Sequence, residues 1–190
     1  HIFTAWGNVK EATQWIRKAE QTNDIDLIWR DVDPLLVGLR AGSTDVASAP
    51  DFEAAESSVL RKLKEELPKN LHYHNIDHTL DVLQAAVEIA EKEKVSQQDI
   101  RLIRIAALLH DSGFITSHKN HEENGCVIAR DILPAFGFAA IQIENICGMI
   151  MATKIPQMPQ TLLEKIICDA DLDYLGRDDF YSVGNRLFEE

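Results

Sequence analysis

The chain has 190 residues, 45% of them hydrophobic, and a formal net charge of −12. That apolar content suffices for one domain with a substantial core, and it excludes a disordered or fibrous chain. The acidic balance excludes wholesale binding to nucleic acid or to an anionic membrane surface, because both need basic patches.

In chain order, Val9, Ala12, Ile16 and Ala19, with Trp15 adjacent, predict an amphipathic helix within residues 9–30. Asp33-Pro34, the apolar stretch Leu35–Leu39 and the breaker-rich segment Ala41–Pro50 then read as a linker. Residues 1–50 are therefore an N-terminal helical segment and linker, belonging either to this domain or to a neighbouring module. Residues 51–190 are expected to form the main domain.

From Asp51 onward the pattern is helical. Val59, Leu60, Leu63 and Leu67 make one stripe, stopped by Pro68. Leu80, Leu83, Val87 and Ala90 make another, in a helix beginning near Asp77. Ser96 is an N-cap with Asp99 as the acidic partner of a capping box. The helix it opens runs to His110 and is apolar nearly all round, so it should be the buried centre. Further helices are expected at about residues 121–133, 139–152 and 160–176, with breaks at Pro134, Pro156 and Pro159. No segment alternates as a half-buried strand would, so the fold class is all-α, with six or seven helices. The chain ends at Glu189-Glu190 within a continuing helical pattern and begins without Met, which suggests a piece of a longer protein.

The three cysteines, Cys126, Cys147 and Cys168, are odd in number, widely spaced and set in apolar surroundings, as expected of buried reduced thiols. No run reaches the ~20 apolar residues of a membrane span, and residues 1–4 do not open a signal peptide. A cytoplasmic location follows as the expectation.

Four polar clusters interrupt this apolar pattern. His110-Asp111 ends the most apolar helix, followed by Ser112-Gly113. A lone histidine there would be a satisfied core residue, but two adjacent polar groups at that position are costly unless paired or metal-bound. His72, His74 and His78 fall within seven residues directly before an amphipathic helix. A solvated helix entry capped by Asn75 or Asp77 would explain them equally well, but their density favours a site. His121-Glu122-Glu123 reads as a loop and a first helical turn, with the glutamates favoured by the helix dipole and His121 as a candidate second-metal ligand. Asp169 and Asp171 flank the stripe of Leu163, Ile166, Ile167 and Ala170 on opposite sides, so periodicity does not choose between them.

Taken together, a histidine, a His-Asp doublet and a distant aspartate resemble the HD superfamily of metal-dependent phosphohydrolases over roughly residues 57–180. The resemblance implies a helical bundle holding a divalent ion (Mn, Mg, Zn, Fe or Ni) through His78, His110, Asp111 and Asp171. The family's Ala-Asp frame, here Ala170-Asp171, selects Asp171 over Asp169. The stretch Tyr73-His74-Asn75-x-x-His78 also looks like that of cyclic nucleotide phosphodiesterases, which implies His74 as general acid. Departures leave the substrate subgroup open: no Gly-Tyr-Pro element is present, the chain is shorter than a cyclic nucleotide phosphodiesterase domain, and Phe114 stands where some nucleotidase members carry Glu.

The implied reaction is cleavage of a phosphomonoester or phosphodiester by a metal-activated water, with Asp111 orienting that water and His74 protonating the leaving oxygen. If His121 joins, the site takes a second ion, at the ~3.5–4 Å spacing of two-metal sites. Lys154 and Arg177 are candidate phosphate contacts, or equally solvated surface charges. The expected partner is a small phosphorylated substrate, a nucleotide by preference, with a homodimer or a fused regulatory module compatible. The alternative from another class is a nucleotide- or metal-sensing HD domain that regulates attached modules without turnover.

Overall fold

The run Ile100–Leu109, apolar except for Arg101 and Arg104, dictates the architecture, because a helix apolar nearly all round must be enclosed by others. A computed structural model describes residues 49–190. The expectations placed on residues 1–48, including the N-terminal helix and linker, lie outside the described residues. Seven α-helices and three short 3-10 turns make up the rest, and there is no strand among the described residues. In chain order they are α1 (Phe52–Glu66), α2 (Ile76–Lys92), α3 (Gln97–Leu109), α4 (His121–Ile132), α5 (Ala140–Ala152), α6 (Leu162–Asp171) and α7 (Phe180–Glu189). The all-α fold class expected from sequence is the one observed.

Helix α3 is the hub. It packs against α1, α2, α4, α5 and α6, while α6 also lies along α2 and α5. Ile103, Ile105 and Ala106 through Leu109 are fully enclosed. Each such Leu or Ile contributes about 1.5–3 kcal/mol of burial. Ser96 caps the helix by accepting the Asp99 N–H at 3.1 Å. Asp99 does not reach back to the Ser96 backbone as a capping box requires. Its carboxylate instead accepts the Ser96 hydroxyl at 2.8 Å.

Two expectations shift. On α2 the buried face is Thr79, Val82, Ala86 and Ala90, and Leu80 is 40% exposed, because packing against both α3 and α6 turns small residues inward. The helix expected over residues 160–176 stops at Asp171, followed by a separate 3-10 turn, Asp173–Gly176. Its start is fixed by a reciprocal capping box between Thr161 and Glu164. The helix thus ends on an aspartate, where the dipole disfavours negative charge.

Truncating the centre should be felt throughout. Leu108→Ala, at a fully buried position of α3, is expected to cost about 2–5 kcal/mol in urea unfolding. A loss below about 1 kcal/mol would show that α3 is not the packed centre of the bundle.

Candidate metal centre

Three helix ends and one turn deliver the polar clusters to a common point. His78 enters on the first turn of α2, whose N-cap is Asn75. The Asn75 side chain accepts the N–H groups of Asp77 (2.9 Å) and His78 (3.3 Å) and donates to the carbonyl of His72 (3.0 Å). Asn75 is thus the cap, and the cap fixes the turn that carries the His78 imidazole. His110 is the C-cap of α3, Asp111 follows it, and Asp171 closes α6.

His78, His110 and Asp171 each offer a ligand atom within 4.8 Å of the others. His78 Nε2 lies 3.3 Å from His110 Nε2 and 3.3 Å from Asp171 Oδ1. Asp111 Oδ2 joins them, 3.0 Å from His110 Nε2 and 3.4 Å from His78 Nε2. Ligands sharing one divalent ion at ~2.0–2.2 Å, at tetrahedral or octahedral angles, stand about 2.9–3.5 Å apart. The donor set is close to that spacing, its widest recorded pair being His110 Nε2 and Asp171 Oδ1 at 3.6 Å. Asp169 is exposed and outside the group.

The chemistry of the atoms supports a cation as well. His110 Nδ1 donates to the Ala107 carbonyl at 2.8 Å, which turns Nε2 into the cluster. Asp111 Oδ2 is buried with no hydrogen bond to satisfy it. An uncompensated buried carboxylate costs several kcal/mol, and the two imidazoles beside it present lone pairs when neutral. Burial disfavours the charged imidazole of His110, yet Asp111 and Asp171 raise its pKa to about 9. His78 is likewise raised against burial by its bonds to Asp111 and Asp171. Asp111 is desolvated, but His110 and His78 hold it well below the usual carboxylate range.

Around this group stands a ring of supporting contacts. His121 opens α4 after Asn120, which takes the left-handed conformation that asparagine tolerates. His121 Nδ1 donates to the His118 carbonyl (3.1 Å), and Nε2 faces Asp111 Oδ1 (3.6 Å) and Glu122 Oε1 (3.4 Å). Phe114 packs against both histidines: the His74 ring stacks on it at 4.4 Å and the His121 ring tilts against it at 4.2 Å, the two imidazoles being 6.2 Å apart. His74 is within 6.1 Å of His78, centroid to centroid.

Glu190 is a residue that sequence reasoning missed. Its Oε1 lies 2.6 Å from His74 Nδ1, and its Oε2 accepts the backbone N–H groups of Tyr73 (2.8 Å) and His74 (3.1 Å). Burial opposes its charge, but these donors hold its pKa below the ordinary value. No local spacing could have revealed a contact across 116 residues of sequence. Glu122, read from sequence as a dipole-favoured surface residue, is only 6% exposed.

The two cations singled out from sequence already have partners. Lys154 pairs with Glu123 on the His121 side. Arg177 lines a small cleft with His78 and Asp171, and is bonded to Asp179 (3.0 Å) and Asp81 (3.4 Å). A phosphate would have to compete for either.

The family model for the HD domain matches residues 75–173, a little over half of the chain. The chain belongs to the HD domain family. It is similar to the crystal structure of a predicted HD superfamily hydrolase from an uncultured Thermotogales bacterium. Identity is 27% and the TM-score 0.57, covering 79% of this chain and 80% of that one. No curated protein matches it. HD domains bind divalent metals, and His78, His110 and Asp171 stand together where this HD domain would do so. No helix among the described residues is long and apolar enough to cross a membrane.

Gly113 shows how tightly the turn after the doublet is built. A Cβ there would sit 1.8 Å from the His121 carbonyl oxygen and 2.8 Å from the Gly125 nitrogen, both backbone atoms. Gly113→Ala must push the start of α4 away, and is expected to cost about 1–3 kcal/mol in urea unfolding. A variant as stable as the parent would contradict that packing.

Proposed function

We propose that this HD domain is a metal-dependent phosphohydrolase that cleaves a phosphomonoester or phosphodiester, by preference in a nucleotide or cyclic nucleotide. The observation that carries the reading is the convergence of His78, His110 and Asp171 with the buried carboxylate of Asp111, whose Oδ2 lies 3.0 Å from His110 Nε2. These four residues would hold the ion, and the N/O donor set suits Mn²⁺, Mg²⁺, Zn²⁺, Fe²⁺ or Ni²⁺. When bound, the ion supplies Lewis acidity, lowering the pKa of water and polarising a phosphoryl oxygen.

The chain's own groups supply the rest. Asp111 accepts a hydrogen bond from the attacking water and orients it. His74, with Nδ1 held by Glu190, presents Nε2 as the general acid that protonates the leaving oxygen. Phe114 against its face limits the ring to that orientation. Lys154 and Arg177 are the phosphate contacts proposed from sequence, in exchange for their present carboxylate partners. The substrate is a small phosphorylated molecule.

The deciding experiment is metal analysis of purified protein, followed by a phosphate-release screen over mono-, di- and cyclic nucleotides with Mn²⁺ or Mg²⁺. His110→Ala and Asp111→Ala should each abolish tight metal binding, and full metal retention in both would sink the ligand assignment. Asp171→Ala should reduce metal affinity far more than Asp169→Ala, as titration with Mn²⁺ would show.

His74→Ala should lower turnover by about 10²–10⁴-fold with metal content near normal. The loss should be smallest for a p-nitrophenyl ester, whose leaving group needs little protonation. Loss of metal together with activity would instead make His74 a ligand or structural residue. A chain that binds metal yet releases no phosphate from any substrate would favour the sensing role over turnover.

A further inference from the structure

The last helix brings a cation beyond Lys154 and Arg177 to the edge of the metal centre. Val183 and Arg186 on α7, and Glu190 at its C-terminal end, are three and four residues apart and so share a face. Val183 is buried at one end of that face. At the other end Glu190 is bonded to the His74 imidazole and to the backbone N–H groups of Tyr73 and His74. Arg186 stands between these two anchors. With His78, Asp171 and Arg177 it lines the small cleft beside the metal ligands.

Arg186 differs from the other two cations in its partners. Arg177 is held by Asp81 and Asp179, with Asp173 at 3.7 Å, and Lys154 by Glu123, whereas among the described residues the Arg186 side chain forms no ion pair. Glu190 lies four residues on, at the helical spacing for such a pair. Its two carboxylate oxygens are turned instead to Tyr73 and His74. The aspartates of the cleft are engaged as well: Asp81 and Asp173 face Arg177, and Asp171 faces His78 and His110. Arg186 therefore meets an anion without displacing any carboxylate, and its planar fork suits two oxygens of a phosphate.

We propose that Arg186 is a substrate-binding residue that takes the phosphoryl oxygens of a phosphomonoester between the metal ligands and His74. This deepens the proposed function and rests on its reading of the site. Lys154 and Arg177 reach a phosphate only by exchange, so Arg186 is the contact of larger effect. The fork also chooses between the two ester classes. A phosphomonoester, with three non-bridging oxygens, can meet the guanidinium with two and still present one to the metal centre. A diester has only two in all and cannot do both.

The test is phosphate binding and steady-state kinetics with the full chain in Mg²⁺. Inorganic phosphate is titrated into the protein by calorimetry, and KM is measured with p-nitrophenyl phosphate. Arg186→Gln should weaken phosphate binding and raise KM by about 10–100-fold, as loss of a charge-assisted contact implies. Arg186→Lys, which keeps the charge without the fork, should fall between. Arg177→Gln should change both quantities less than Arg186→Gln. Arg101→Gln removes an equal charge from a guanidinium that lies over the Phe52 ring, and should change neither. With bis(p-nitrophenyl) phosphate the rise in KM for Arg186→Gln should be smaller than with the monoester. Arg186 is exposed, so its variants should fold, as thermal melting checks, and Arg186→Lys serves if Arg186→Gln does not.

Unchanged phosphate affinity and KM in Arg186→Gln overturn the proposal, as does an equal loss in Arg101→Gln or a larger one in Arg177→Gln. A rise in KM for the diester as large as for the monoester overturns the choice of ester class. A parent that binds phosphate but turns over no substrate overturns the proposed function, and the phosphate titration then decides for Arg186 by itself. A parent that neither binds phosphate nor releases it overturns both.

Discussion

Asp111 is the constraint on which the site is built. It follows the most enclosed helix of the bundle, and 7% of its surface is exposed. A carboxylate at that depth is tolerable only with positive charge or donors close by. The rest of the fold brings them: α2 delivers His78, the end of α3 delivers His110, and α4 begins with His121. Asp171, at the end of α6, adds negative charge to the same point and so increases the demand for a cation. The Asp111 and Asp171 carboxylates hold the His110 pKa above its ordinary value, at about 9, despite full burial.

The ligands are held by contacts that themselves belong to the fold. The Ala107 carbonyl orients His110, the Asn75 cap fixes the turn carrying His78, and the His118 carbonyl orients His121. Phe114 packs against both His74 and His121, and Glu190 ties His74 to the end of the last helix. Such outer contacts set which imidazole nitrogen faces the cluster, and they fix its geometry in advance. Gly113 completes the arrangement by allowing the backbone of α4 to close on the turn after the doublet.

Electrostatics at long range work differently. With a net charge of −12, the protein as a whole repels an anionic substrate, and Lys154 and Arg177 are engaged by carboxylates. Under the proposed function, attraction would be local, from a bound divalent ion and from Lys154 or Arg177 released from their partners. Because an exposed pair such as Lys154–Glu123 contributes little to stability, exchanging its carboxylate for a phosphate oxygen costs little.

Much of this could be read from the sequence, for a definite reason. The apolar run ending in His110-Asp111 states by itself that two polar groups emerge from a buried helix, and local patterning marks α1, α3, α4 and α5 nearly to their ends. What local spacing could not reveal was any relation between distant residues: the choice of Asp171 came from a family resemblance, since periodicity left Asp169 equal to it. The rotation of α2 that exposes Leu80, the early stop of α6 and the burial of Glu122 were decided by neighbours that pack from elsewhere in the chain. So was the bond from Glu190 to His74. The sequence by itself determined which residues are apolar enough to be enclosed and which polar residues must be compensated. Only the tertiary structure decided which partners compensate them, because burial and Coulomb interaction depend on distance in space and not along the chain.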